Sequence, residues 1–383
     1  MRPDPVTAVL DLHGLLSVAL VDARRDEVAA VRRQLGPLPA VAGATADGAD
    51  ITVRFVDRLE TTGGVRPLGL DAAVTDDAFI VVRGRRKSSV RVRIPLDLIG
   101  RGHVELVAER GLPAVPYLLP IVMVTLLSKG VVPIHASAFV ADGRGTLVTG
   151  WAKGGKTEAL LAFADHGATY VGDEWVFITG DGTRMAGLPE PMRVWDWQLA
   201  QVPRLRERIG LGRRVRLGAA AATARTLAAA GRLPAVERSA PGDAARRLGA
   251  IAENQRSLQI PPERVFDGRV AVGLAPLDRV VLIETSNDSA ASVEPIDPSL
   301  LARRTASTIV HELLDLQALY LAFLYAFPDR PNPFIETLPE TLRERLVAAL
   351  AGQRCFLVRH PYPPDIPALH GLLRRAIDAA PGS

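Results

Sequence analysis

A chain of 383 residues is too long for one small core and long enough for two or three packed units. Its 48% hydrophobic and 23% charged residues fit a globular protein, and its net charge of only +4 is spread along the chain, which argues against a nucleic-acid or membrane-surface role. Cys355 is the only cysteine, excluding an intramolecular disulfide and a cysteine-based metal cluster.

The N-terminus, MRPDPVTAVLDLHG, lacks a basic region followed by an apolar run and does not read as a signal peptide. The most apolar stretch, 115–127, carries Pro116 and Pro120 and is too short to span a bilayer, so a cytoplasmic location is the expectation. Residues 1–110 read as β-rich, with alternating or β-branched runs at 51–55, 79–82 and 90–94 separated by Gly/Asp/Arg-rich turns. No catalytic signature falls there. The segment is expected to form a separate N-terminal domain for recognition, oligomer contact or structure alone.

From 113 to 130 a buried helix is expected, entered at Pro116 or just after Pro120 and stopped at Gly130. Strand segments follow at 131–134 and 136–140, then the turn ADGRG and a strand at 146–149. A glycine-rich loop comes next, 156–166 reads as a helix, and strand segments at 169–171 and 175–178 flank Asp173 and Glu174. Residues 216–260 are Ala/Arg-rich, with AAAATARTLAAAG as a helix and PGD as a break: a helical insert acting as lid, acceptor-binding arm or oligomer arm. Beyond it come a strand at 280–284, a long apolar helix or helical pair at 300–327, a helix at 339–351, a strand at 355–358 and a helix at 366–379. The fold class is therefore α/β, with 111–383 as the second domain, and no internal repeat is present.

The chemistry gathers around one loop. Lysine occurs only at 87, 129, 153 and 156, a bias expected of a GC-rich genome, yet Lys153 and Lys156 share eight residues. A compact ammonium, rather than arginine's planar fork, is the group a phosphate-cradling loop requires. The stretch Gly150-Trp151-Ala152-Lys153-Gly154-Gly155-Lys156-Thr157 fits G-x-x-x-x-G-K-S/T, with a strand running into it and a helix starting from it. Gly150, Gly154 and Gly155 let successive N–H groups point inward at phosphate oxygens, and the helix N-terminus adds partial positive charge. Lys156 is expected to bridge the β- and γ-phosphates of ATP or another nucleoside triphosphate, and the Thr157 hydroxyl to coordinate Mg²⁺.

Asp173 and Glu174 close the strand-like ATYVG. One carboxylate can orient the metal while the other accepts a proton from an attacking hydroxyl, jobs that need close spacing beside the phosphates. His135, in IHASAF, precedes a strand expected to neighbour the loop strand. Arg193, in GLPEPMRVWDW, follows a Gly/Pro turn and offers a planar donor fork to a transferring phosphate. Trp195 and Trp197, at period-two spacing, are read as core residues. HELLD, at His311, lacks the second histidine of a zinc-protease helix and is not read as metal-binding.

Taken in order, IHASAF, TLVTGWAKGGKTEALLAFADHGATYVGDEWVFI and LPEPMRVW resemble the catalytic domain of HPr kinase/phosphorylase and its broader relatives, over Pro133 to Trp197, roughly a sixth of the chain. The resemblance implies a P-loop kinase core related in fold to phosphoenolpyruvate carboxykinase. It implies that His135 stands near the transferring phosphate, that Gly150 through Thr157 hold the nucleotide, and that Asp173 is the general base. Glu174 stands where the family has a second aspartate that helps hold the metal, and Arg193 falls in a Gly/Pro-led arginine segment. Trp151 and Lys153 replace small or polar residues of the family loop, and no segment for docking HPr is present. The acceptor implied is a hydroxyl of a biosynthetic peptide's serine or of a small molecule, and an oligomer is implied without a number. The competing expectation is a non-catalytic, nucleotide-binding regulatory module acting through a partner protein.

Overall fold

A computed structural model describes residues 6–41, 43–83, 90–231, 256–288 and 290–378. The PGD break of the Ala/Arg-rich stretch and Lys87 lie outside the described residues. The chain is mixed α/β, built on mixed sheets.

In the first hundred residues, alternating apolar side chains give strands β1 (Val6–Leu12), β2 (Leu16–Ala23), β3 (Ile51–Val56), β4 (Arg66–Leu68), β5 (Ala72–Val74), β6 (Phe79–Arg83), β7 (Val90–Arg93) and β8 (Val104–Glu109). Helix α1 (Arg25–Leu35) makes the crossover that lets β2 and β3 pair in parallel. The strands form one eight-stranded sheet in the order β1-β2-β3-β8-β7-β6-β5-β4.

Helix α2 (Leu118–Ser128) starts between the two expected entry points, because Tyr117 turns the chain in a left-handed conformation, φ 58°. It is apolar on nearly every side, and such a helix is stable only when enclosed. Here one hydrophobic core joins Leu106 of the first sheet, Val122 of α2 and Leu147 of the second sheet. Asn332 stitches the same junction, donating from Nδ2 to Leu96 O at 2.8 Å and Ile99 O at 2.9 Å.

The second sheet comprises β9 (Val132–Ala141), β10 (Arg144–Thr149), β11 (Thr169–Gly172), β12 (Trp175–Ile178) and β13 (Arg184–Gly187), with β14 (Met192–Trp195) and β15 (Ser257–Ile260) forming a separate two-stranded ribbon. Strands β16 (Ala275–Pro276), β17 (Arg279–Ser286), β18 (Ser292–Pro295) and β19 (Arg354–Pro361) complete it in the order β16-β13-β12-β9-β10-β17-β19-β18, with β11 also pairing β9. β10, β17 and β19 run parallel, and strand alternation sends Leu147 and Leu282 to one core and Val148 and Val281 to the other. The first core lies against α2, α8 (Pro298–Glu312) and α11 (Leu338–Leu350); the second lies under α3 (Lys156–Ala164) and α12 (Ile366–Asp378). The remaining helices are α4 (Asp196–Gln201), α5 (Pro203–Arg208), α6 (Leu211–Gly231), α7 (Pro262–Val265), α9 (Leu314–Ala326) and α10 (Pro333–Glu336).

Two local expectations change, and one left open, a long helix or a helical pair at 300–327, resolves as a pair. The two segments expected around His135 are one unbroken strand, because β9 passes from its pairing with β12 at 132–135, where His135 sits opposite Trp175, straight into its pairing with β10 at 136–141. The pair at 300–327 breaks at Leu313 with a 58° bend between α8 and α9. The Ala/Arg-rich stretch is helical through Gly231, but its last four residues are strand β15, paired antiparallel to β14. Among the described residues no single helix is long and apolar enough to cross a membrane.

Candidate active site at the Gly150–Thr157 loop

The loop leaves β10 at the end of a buried strand and enters α3 at Lys156. A Cβ at Gly150 would lie 2.3 Å from Ile283 O, so only glycine lets the chain turn this close to β17. Gly155 adopts φ 107°, and a Cβ there would lie 2.6 Å from His360 Nε2. His360 is itself buried and donates from Nε2 to Gly154 O at 2.9 Å. The loop is thus moulded from behind by β17 and β19. From the other side Ser137 Oγ donates to Lys156 O at 2.7 Å, tying the first turn of α3 to β9.

Lys156 is 7% exposed, and its Nζ donates to Gly150 O and Trp151 O, both at 3.0 Å. Burial lowers its pKa, and the nearby Glu174 and Asp173 carboxylates oppose that fall. The ammonium lies folded back on its own loop, beside the cavity where an anionic ligand can take over its bonds.

Asp173, at the end of β11, is 4% exposed, with the Thr157 hydroxyl 3.3 Å from Oδ2 and 3.4 Å from Oδ1. Burial, and then the charge of Glu174, push its pKa up to about 7. Glu174 is the opposite case. Its hydrogen bond from His135 holds its carboxyl below the usual range against the cost of burial, with smaller help from Lys156 and Arg193. Glu174 occupies a left-handed conformation, φ 68°, which costs a non-glycine residue about 1–3 kcal/mol and recurs at functional sites. Two adjacent carboxylates therefore differ sharply in proton affinity.

His135 spans two carboxylates: Nε2 lies 3.0 Å from Glu174 Oε2 and Nδ1 lies 3.0 Å from Glu312 Oε1. Its ring stacks on Trp175 at 5.8 Å between centroids. Glu312 belongs to the HELLD stretch, so that motif contributes an acid to this site. The preceding His311 packs 5.2 Å from the ring of Trp151, which is 56% exposed at the lip of the loop.

A cavity of about 630 Å³ opens over the loop, within the range of small-molecule sites. His135, Lys156, Thr157, Glu174 and Arg193 line it, whereas Asp173 stands one hydroxyl behind the wall, reached through Thr157. Trp195 and Trp197, expected in the core, also line it: Trp195 ends β14, which pairs only with β15, and Trp197 lies on α4, which starts directly after it. Sequence reasoning missed Glu312, His360 and Glu190. Glu190 has no hydrogen-bond partner for its buried Oε1, and burial, then the charge of Glu174, push its pKa up to about 7. Their signal is spatial rather than sequential, although Glu312 lies in HELLD and Glu190 inside LPEP.

No protein-family model matches this chain, and no curated protein matches it.

Proposed function

We propose that this protein is an ATP- and Mg²⁺-dependent kinase that transfers the γ-phosphoryl group to a hydroxyl of a peptide serine or a small molecule, on a P-loop core of the HPr-kinase kind. The observation that carries this reading is the carboxylate pair beside the loop. Neighbouring groups whose environments drive their proton affinities apart identify the acid–base partners of a site. Asp173, at about 7, takes up a proton near neutrality, while Glu174 stays charged and holds His135.

The oxygen donors suit the metal. Mg²⁺ takes one or two carboxylates together with substrate phosphates, and Glu174 and the Thr157 hydroxyl on the cavity wall, with Asp173 3.3 Å behind Thr157, supply oxygens of that kind. When bound by Thr157 and Glu174, the ion would neutralise charge on the phosphates.

In the reaction the loop amides and Lys156 hold the β- and γ-phosphates, and Arg193 on the cavity wall meets charge on the transferring group. The acceptor hydroxyl gives its proton to Asp173 by way of the Thr157 edge of the cavity. A bond forms between the acceptor oxygen and the γ-phosphorus, and the bond to the β,γ-bridging oxygen breaks. ADP leaves with that electron pair. His135, held between Glu174 and Glu312, keeps the reacting end of the cavity in register.

The test is transfer of labelled γ-phosphate from Mg-ATP to candidate hydroxyl acceptors, with Lys156→Ala as control. Transfer by the wild type and its loss, by at least about a hundredfold, in Lys156→Ala supports the reading. ATP binding with no transfer to any peptide or small-molecule acceptor would move the protein to the class of nucleotide-binding regulatory modules.

A further inference from the structure

The cavity over the loop has two chemically different ends, and the sheet order separates them. His135 lies on β9 and Glu174 just before β12, on one side of β10; Tyr362 and Pro364 follow β19, on its other side. From β9 to β19 there are three strand spacings, about 14 Å, with the loop between. That is the span of a nucleoside triphosphate laid across the loop. With its γ-phosphate at the Glu174 end, its base falls at the β19 end.

That end is built of flat side chains. Tyr362 and Pro364 line it, Tyr362 69% exposed, and Trp197 of α4 and Trp195 just before that helix line the same cavity. Its two halves are clipped together by Gln201 of α4, which donates to Pro364 O at 3.2 Å and accepts from Ile366 N at 2.9 Å. Two polar side chains beside these rings are already engaged. Gln198 donates to Glu158 at 2.7 Å and accepts from Trp195 N at 2.7 Å, and Arg256 pairs in bidentate fashion with Asp196, both bonds 3.1 Å. Rings flanked by an amide and a guanidinium that are bonded elsewhere favour stacking over edge readout by those two groups.

We infer that Trp197 and Tyr362, with Trp195 and Pro364, form a stacking subsite for the base of the bound nucleoside triphosphate, one that does not distinguish adenine from guanine. The inference rests on the kinase reading for the nature of the ligand and for the direction in which it lies.

The experiment is calorimetric binding of Mg-ATP, Mg-GTP and inorganic triphosphate with magnesium to the wild type, Trp197→Ala and Tyr362→Ala, with circular dichroism to verify folding. Aromatic stacking on a base is worth enough to predict about a tenfold loss of ATP affinity in each variant, with triphosphate affinity unchanged within about twofold and ATP and GTP within about threefold of each other. Because Tyr362 is exposed, its replacement leaves the core untouched and gives a clean reading if Trp197→Ala fails to fold. Wild type that binds ATP no more tightly than triphosphate overturns the subsite, as do variants that weaken both ligands equally or neither. A wild type that binds none of the three ligands overturns the kinase reading itself.

Discussion

The Thr157 hydroxyl stands 3.3 Å from the buried carboxylate of Asp173, so the first turn of α3 and the end of β11 meet at one polar contact. Thr157 faces the cavity and Asp173 lies behind it. Removing proton affinity at Asp173 while keeping its shape should therefore separate binding from transfer. Asp173→Asn is expected to lower phosphoryl transfer by about 10²–10⁴-fold, the usual contribution of a general base, with ATP affinity within about threefold of the wild type. Single-turnover transfer and calorimetry measure the two quantities; an equal loss in both would remove Asp173 from the base role.

The same variant should change stability with a definite sign. The Asp173 carboxyl rises from its ordinary 3.8 to about 7 on folding, so the folded state favours the protonated form. At pH below 3.8 the group is protonated folded or unfolded and costs nothing; as pH rises through 7 the folded protein carries an ionised buried carboxylate and loses stability. The rise bounds that loss at roughly 4 kcal/mol. Asp173→Asn is expected to unfold at higher urea than the wild type at pH 8, with the advantage shrinking towards pH 4. A variant less stable than the wild type at pH 8 would contradict the burial cost.

Glu312 hydrogen-bonds His135 and reaches the loop only through its charge, which acts on Lys156, so it reads as a positioning group. Glu312→Ala is expected to reduce transfer about tenfold while leaving ATP affinity unchanged, and Glu312→Gln, which keeps a hydrogen-bonding oxygen, should recover part of the loss. A fall in ATP affinity matching the fall in transfer would instead assign Glu312 to ligand binding.

Gly155 combines a left-handed backbone with a neighbour that cannot yield, the buried ring of His360. Gly155→Ala is expected to cost about 1–3 kcal/mol from the backbone conformation, and more from the contact with the ring. His360→Ala in the same chain should relieve only the second part. Urea unfolding of the single and double variants reads both, and full recovery in the double variant would show that the backbone term is negligible.

The loop was legible because its requirements are local: close-approach glycines, an ammonium and a hydroxyl fall within eight consecutive residues, and a strand and a helix bracket them. His135, Asp173, Glu174 and Arg193 were reachable for a related reason, each lying close to the loop in sequence and within the stretches that carry the family resemblance. Glu312 and His360 were not. They come 177 residues after His135 and 206 residues after Gly154, and only the packing of α8 and the parallel pairing of β17 with β19 bring them in. HELLD was weighed against a metal template and set aside, although its glutamate matters as a partner for one histidine. Trp195 and Trp197 were misread because their period-two spacing suggests one strand face, whereas the strand ends at Trp195 and a helix begins at Asp196. The unbroken β9 was read as two pieces because a histidine amid apolar residues resembles an interruption until both flanking strands are known.

The bond from His360 to Gly154 also sets an order of events during synthesis. A loop whose back wall is supplied 206 residues later cannot take its final shape while the chain is still emerging. At usual translation rates that interval is roughly ten to forty seconds. For that time the nascent protein carries Gly150 through Thr157 without the surface that moulds them, and the loop takes its final shape only once β19 has emerged.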